Sequence, residues 1–271
     1  MKLTSFKGLI GKGLSGLMLA AVLVGGGLMT APSAHAQDAA PAASSAPADS
    51  TEAAMPASSA PAAEAAAPAA PALLAHQAPL ALDTGGAAWI LTSTALVLLM
   101  TIPGLALFYG GMVRKKNVIA TVAQSFAITA VVTVVWMVCT YSLAFGFNAS
   151  SALQPYIGSF DAFFLNNVRV DTAYTAAKGL PEMLWITYQM TFAIITPALI
   201  AGAFAERMKF STLLVFTTLW SIFVYAPVCH WVWGGGFLSA AGVLDFAGGT
   251  VVHINAGIAG LVCALVLGKR K

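Results

Sequence analysis

The chain has 271 residues, of which 59% are hydrophobic and only 8% charged, with a formal net charge of +3. Soluble domains carry roughly 25% charged residues, so this composition excludes an ordinary soluble protein and points to an integral membrane protein. The small positive balance does not argue for a nucleic-acid partner, because nearly all of the basic residues stand where orientation in a bilayer needs them.

Residues 1–36 predict a signal peptide. Lys2, Lys7 and Lys12 form a positive start, Leu17 to Met29 is a short apolar run, and Ala34-His35-Ala36 is a small-x-small cleavage site. The alternative, an uncleaved anchor, would need a run closer to the ~20 residues of a span. Residues 37–81 are rich in Ala, Pro and Ser and have no apolar periodicity, which predicts a disordered extracellular tail.

Residues 82–271 predict a transmembrane domain with five apolar segments at about 88–112, 118–146, 182–205, 210–233 and 246–268. Each is long enough to cross a hydrocarbon core of ~30 Å at ~1.5 Å per residue. Arg114, Lys115 and Lys116 follow the first segment, Arg207 and Lys209 the third, and Lys269, Arg270 and Lys271 the fifth. Outside the signal segment only Arg169 and Lys178 remain for the opposite side. The positive-inside rule therefore puts the mature N-terminus outside and Lys271 inside, in agreement with the signal peptide. The connection at 147–181 falls on the outer face and reads as a structured loop with room for a short helix. Its Asn148-Ala149-Ser150 sequon matches too readily by chance to carry weight.

Pro103, Pro197 and Pro227 interrupt the first, third and fourth segments, which predicts kinks and freed carbonyls. Ala256, Gly257 and Gly260 offer a small-residue face for close helix approach. Cys139, Cys229 and Cys263 all lie in apolar segments, where cysteine behaves as a small hydrophobe.

Asp245 and His253 raise the functional question, since one stands at the mouth and the other in the body of the last segment. Asp245 suits a helix N-cap, a structural role compatible with a functional one. His253 falls about 12 Å further in, where an ionisable residue is a functional-site hypothesis unless a neighbouring helix satisfies it. Upstream, Trp231 suits a membrane-interface anchor. Trp233 precedes Gly234, Gly235 and Gly236, which allow backbone to approach a ligand, and its ring beside Asp245 would suit a small cation. Tyr188 and Phe192, four apart on one helix face, are either packing or a hydrophobic gate.

The stretches MTIPGLALFYGGMVRKKNV, GAFAERMKFS, HWVWGGG and LDFAGGTVVHINAGIAGLV resemble the ammonium transporter family (Amt/Mep/Rh), in its bacterial Amt branch. The likeness runs from about Asp83 to Lys271. It implies an all-α membrane fold, with these five helices as the first inverted repeat of an eleven-helix bundle, and a homotrimer with a pore in each subunit. It implies localisation in the inner (cytoplasmic) membrane, no cofactor, and a cytoplasmic PII-type signal protein as a partner. By position, Trp233 and Asp245 would belong to an outer ammonium-recruiting site, Tyr188 and Phe192 to the gate, and His253 would be the first of paired pore histidines. Tyr188 departs from the Phe of the bacterial pattern, adding a hydroxyl at the gate. The chain also stops where the family continues into a second repeat, which implies an incomplete half.

Such a pore has a physical rationale. A bare cation in a dry apolar path pays tens of kcal/mol. Ammonium can leave a proton behind and cross as ammonia, with an imidazole as hydrogen-bond partner. Two other classes are compatible with an apolar bundle of this kind. A sensor or transceptor on the same bundle would be favoured by a signalling domain after Lys271. An intramembrane hydrolase using Asp245 and His253 lacks a Ser or Cys nucleophile beside a positioned base.

Overall fold

The computed structural model describes residues 73–269, so the signal peptide expected at 1–36 and the tail up to residue 72 lie outside the described residues. Five helices are long and apolar enough to cross a membrane: Thr84–Met112, Lys115–Phe145, Glu182–Phe204, Phe210–Ala240 and Gly249–Leu267, here spans one to five. In hydrocarbon each backbone N–H and C=O must find its partner within the chain, which is why uncharged runs of this length become helices. Leu99, Ile119, Phe126, Val215, Phe223 and Leu265 point outward and exposed. On a soluble protein such a surface would be a liability, whereas lipid tails solvate it. Span three is the most buried of the five and packs against spans one, two and five.

The prolines act differently from one another. Before Pro103 the backbone leaves the helix at Ile102 (φ −130°, ψ 111°), as the crowding of a residue ahead of proline requires. Pro227 follows a wider turn at Ser221–Tyr225 and sits in the first turn of the resumed helix, where its missing N–H does least harm. Pro197 does not interrupt span three, which runs on as one helix from Glu182 to Phe204. The close approach expected of the small-residue face occurs between spans three and five, where a Cβ on Gly260 would stand 3.3 Å from that of Ala203.

The helical fold class is as expected, with one short two-stranded addition at one end, and residues 73–81, expected to belong to a disordered tail, take part in it. Gln77–Pro79 (β1) pairs antiparallel with Thr172–Tyr174 (β2) in the outer connection, Gln77 opposite Tyr174 and Pro79 opposite Thr172. His76, Gln77 and Ala78 are buried. What anchors them is Glu182, the first residue of span three, fully buried at 0% exposure. Its Oε1 accepts from the Tyr141 hydroxyl (2.8 Å) and stands 3.1 Å from His76 Nε2. Its Oε2 accepts from Gln77 Nε2 (2.8 Å) and from the Thr172 hydroxyl (2.8 Å). Four donors on one carboxylate satisfy it without water, and two of the four come from the supposed tail.

At the other end the basic turns gather. Glu206, at φ +66°, accepts at Oε1 from the Arg114 backbone N–H (3.0 Å), Arg114 Nε (3.1 Å) and Asn117 Nδ2 (2.6 Å). The Arg207 guanidinium donates to the carbonyls of Ala203 and Gly268, joining the ends of spans three and five. The turns after spans one, three and five therefore share one end of the bundle, as the alternating charge pattern requires. Asn117 and then Arg114 hold the Glu206 carboxyl down to about 2, from an ordinary value of 4.5. Because its folded value is depressed, what Glu206 contributes to stability is fully present above about 4.5 and is lost as pH falls towards 2. Asn117→Ala removes a donor to the charged form, so the Glu206 carboxyl should titrate at higher pH by NMR. An unmoved titration would show that Asn117 does not hold it.

Candidate functional site

One face of span three carries Trp185, Tyr188, Gln189 and Phe192, spaced i, i+3, i+4 and i+7. Tyr188 and Phe192 meet edge to face, with centroids 5.0 Å apart at 89°. Phe192 in turn meets Trp233, at the end of span four, with centroids 5.7 Å apart at 70°. The Trp233 indole N–H donates to the backbone carbonyl of Asp245 (2.9 Å), which fixes the ring.

Asp245 precedes span five and caps it. Its Oδ2 accepts from the backbone N–H groups of Thr250 (3.0 Å) and Val251 (2.9 Å), two of the orphan donors of the first turn. Its other oxygen, Oδ1, is buried and has no partner among the described residues. The carboxylate therefore holds the helix with one oxygen and keeps the other free.

These residues line a single cavity of about 320 Å³, together with Tyr174 and Phe246. Gln189 lies in the same wall, and its Oε1 is likewise buried without a partner. Two acceptors without donors, a carboxylate oxygen among them, and the surrounding aromatic faces bias the site towards positive charge, while the Trp185 indole N–H in the same wall is an unpartnered donor. Burial pushes the Tyr174 phenol above its ordinary value, so that ring stays a neutral member of the wall.

The glycines after Trp233 are explained by backbone proximity. A Cβ on Gly234 would stand 2.0 Å from the Ala144 carbonyl oxygen, and Gly235 adopts φ +84°. His230, fully buried one turn before, braces the same corner: its Nδ1 lies 2.9 Å from the Ala144 carbonyl oxygen and its Nε2 2.6 Å from that of Gln154. Trp231 donates to the Tyr156 carbonyl (2.8 Å).

Tyr188, Phe192, Trp233 and Asp245 are thus brought together, whereas His253 is not part of their cavity. It lies in the wide turn Gly249–Ile254 of span five, exposed, on a separate open groove of about 340 Å³ with Leu199, Ala203, Gly257 and Gly260. Sequence reasoning missed Trp185, Gln189 and His230. The first two share the helical spacing of Tyr188 and Phe192 and could have been found by it. His230 could not, since the carbonyls it meets are 76 and 86 residues away.

Comparison with known proteins gives a consistent result. Residues 88–271 match the Ammonium Transporter Family model. An ammonium transporter of Aquifex aeolicus is 52% identical over 201 residues, covering 73% of this chain and 45% of that protein. One of Bacillus subtilis is 49% identical over 190 residues, covering 70% and 45%. The crystal structure of Candida albicans Mep2 superposes with a TM-score of 0.61 at 36% identity, covering 70% of this chain and 40% of Mep2. The chain thus spans less than half the length of these relatives.

Proposed function

Because the chain belongs to the ammonium transporter family, we propose that it serves to move ammonium or ammonia across a membrane, and that the cavity around Trp233 and Asp245 is where the ammonium ion is first held. The observation that carries this reading is the pair of unpartnered acceptors, Asp245 Oδ1 and Gln189 Oε1, within one aromatic cavity. Ammonium can donate N–H groups to both acceptors and brings a positive charge to face the carboxylate and the rings. Potassium brings only the charge.

In this reading Trp233 and Phe192 offer ring faces to the cation, and Asp245 supplies negative potential while anchoring span five. Tyr188 and Phe192 form the constriction that separates the site from the apolar path, and the Tyr188 hydroxyl adds one polar atom there. His253 lies beyond it, as hydrogen-bond partner for ammonia and carrier of a proton. The end bearing Arg114, Arg207 and Lys269 faces the cytoplasm across the inner membrane, which leaves the Trp233 cavity open to the outside.

Asp245→Asn tests the assignment, because an amide oxygen can keep the cap while the charge is lost. Binding of radiolabelled methylammonium to the purified protein in lipid nanodiscs should weaken several-fold, in keeping with ~1 kcal/mol for unit charges about 4 Å apart in water-like surroundings. Affinity equal to that of the unaltered protein would remove Asp245 from the recruiting site.

A further inference from the structure

A second cavity, of about 350 Å³, lies at the outer end on the other side of Trp233. It shares Trp233, Tyr174 and Ala176 with the first, and its other walls include His76, Phe145, Phe147, Gln154 and Ser239. The geometry points to a second cation site here, an antechamber that holds a hydrated, N–H-bearing cation such as ammonium or a small protonated amine before it passes Trp233. This rests on the reading of the first cavity as an ammonium site and adds to it a step in front.

Three observations support the assignment. The first is the state of His76. The Glu182 carboxylate can only accept, so the ring nitrogen 3.1 Å from it, Nε2, carries the proton. In the neutral ring this leaves Nδ1 with its lone pair, and no protein donor among the described residues meets it. His76 is 4% exposed and clasped by the rings of Tyr141 and Tyr174, with centroids at 6.2 and 6.3 Å, so the acceptor is held in place. The second is charge. The lining contains no Lys or Arg, and the buried Glu182 carboxylate stands directly behind His76. The potential there favours a cation. The third is size. At ~30 Å³ per water the cavity accommodates an ion with its first water shell, whereas the first cavity is walled mainly by aromatic rings that replace water. The two differ as a place to wait differs from a place to shed water.

This gives the segment 73–81 a purpose beyond packing. Its strand pairing with the outer connection and its contacts with Glu182 bring an imidazole acceptor to the entrance.

Two plugs separate the cavities. Ser239 is exposed, lines only the second cavity and takes no part in the Glu182 network, so Ser239→Trp should fill that cavity without unfolding the protein. Tyr188 lines only the first, and Tyr188→Trp should fill that one. The unaltered protein in nanodiscs should bind radiolabelled methylammonium in two components. Ser239→Trp should abolish one and Tyr188→Trp the other. Caesium, which has no N–H to donate, should compete only weakly with either component. Loss of a component in Tyr188→Trp with none lost in Ser239→Trp would overturn the antechamber and leave the first site standing. Strong competition by caesium for the component that Ser239→Trp abolishes would overturn the His76 assignment. Absence of methylammonium binding in the unaltered protein would overturn the ammonium reading itself, and the antechamber with it.

Discussion

Glu182→Leu is expected to be the most destabilising single change at the outer end, at about 3–5 kcal/mol, the range for breaking a buried charged network. The carboxylate is 0% exposed and accepts from groups in three separate places: Tyr141 in span two, Thr172 in β2, and His76 with Gln77 in the segment before span one. Leucine would leave the Tyr141 hydroxyl and His76 Nε2 without their acceptor, while Gln77 Nε2 keeps the Asn167 carbonyl (3.0 Å) and the Thr172 hydroxyl the Arg169 carbonyl (2.9 Å). A lone buried donor costs roughly 1–3 kcal/mol, and the total falls short of the sum because the freed segment can move into water. Glu182→Gln should cost less, since one oxygen still accepts while the new amide N–H₂ faces donors. Two measurements report the effect: the free energy of unfolding in mixed micelles, and protease access to residues 73–81. Unchanged unfolding together with unchanged protection would mean that the carboxylate does not hold the segment.

That network also marks where sequence reading stopped. In hydrocarbon one local property, a long run without charge, decides helix formation, so the five spans could be read segment by segment. Their shared inner end followed from Arg114, Arg207 and Lys269, because charge asymmetry is also local to each connection. The pair Tyr188 and Phe192 could be read from helical spacing. Glu182 looked like the acidic first residue of a helix and nothing more, because its partners His76 and Gln77 lie 106 and 105 residues away. The order of residues 73–81 is hidden from the sequence for the same reason. Averaged with the Ala/Pro-rich stretch before them they show no periodicity, and their order comes from a strand partner in another connection. Asp245 was half legible: a cap can be seen from its position before a helix, but an unpartnered second oxygen depends on span three reaching it. The separation of His253 from the Trp233 cavity was not legible at all, since spacing along span five does not say which neighbour faces each side.

The largest functional effect is expected at that separation. The described bundle presents His253 on an open groove, with a wall from Leu199, Ala203, Gly257 and Gly260 on one side only. Nothing among the described residues lies within 4 Å of where a Cβ on Gly257 would be. An ammonia path needs enclosure, because a polar side chain left against lipid costs several kcal/mol and a one-sided groove neither excludes tails nor holds a substrate. Liposomes carrying only the five described spans should therefore show no ammonia flux above protein-free controls. Flux should appear when the remaining length of a relative, the part to which this chain has no counterpart, is co-reconstituted to close the groove. In that assembly His253→Ala removes the imidazole from the path and should abolish ammonium-driven current while incorporation into the liposomes persists. His253→Ala current equal to that of the unaltered assembly would show that the imidazole carries neither ammonia nor its proton. Selective, concentration-dependent flux from the five spans alone would show that the groove closes on itself, and the one-walled description of the path would have to be abandoned.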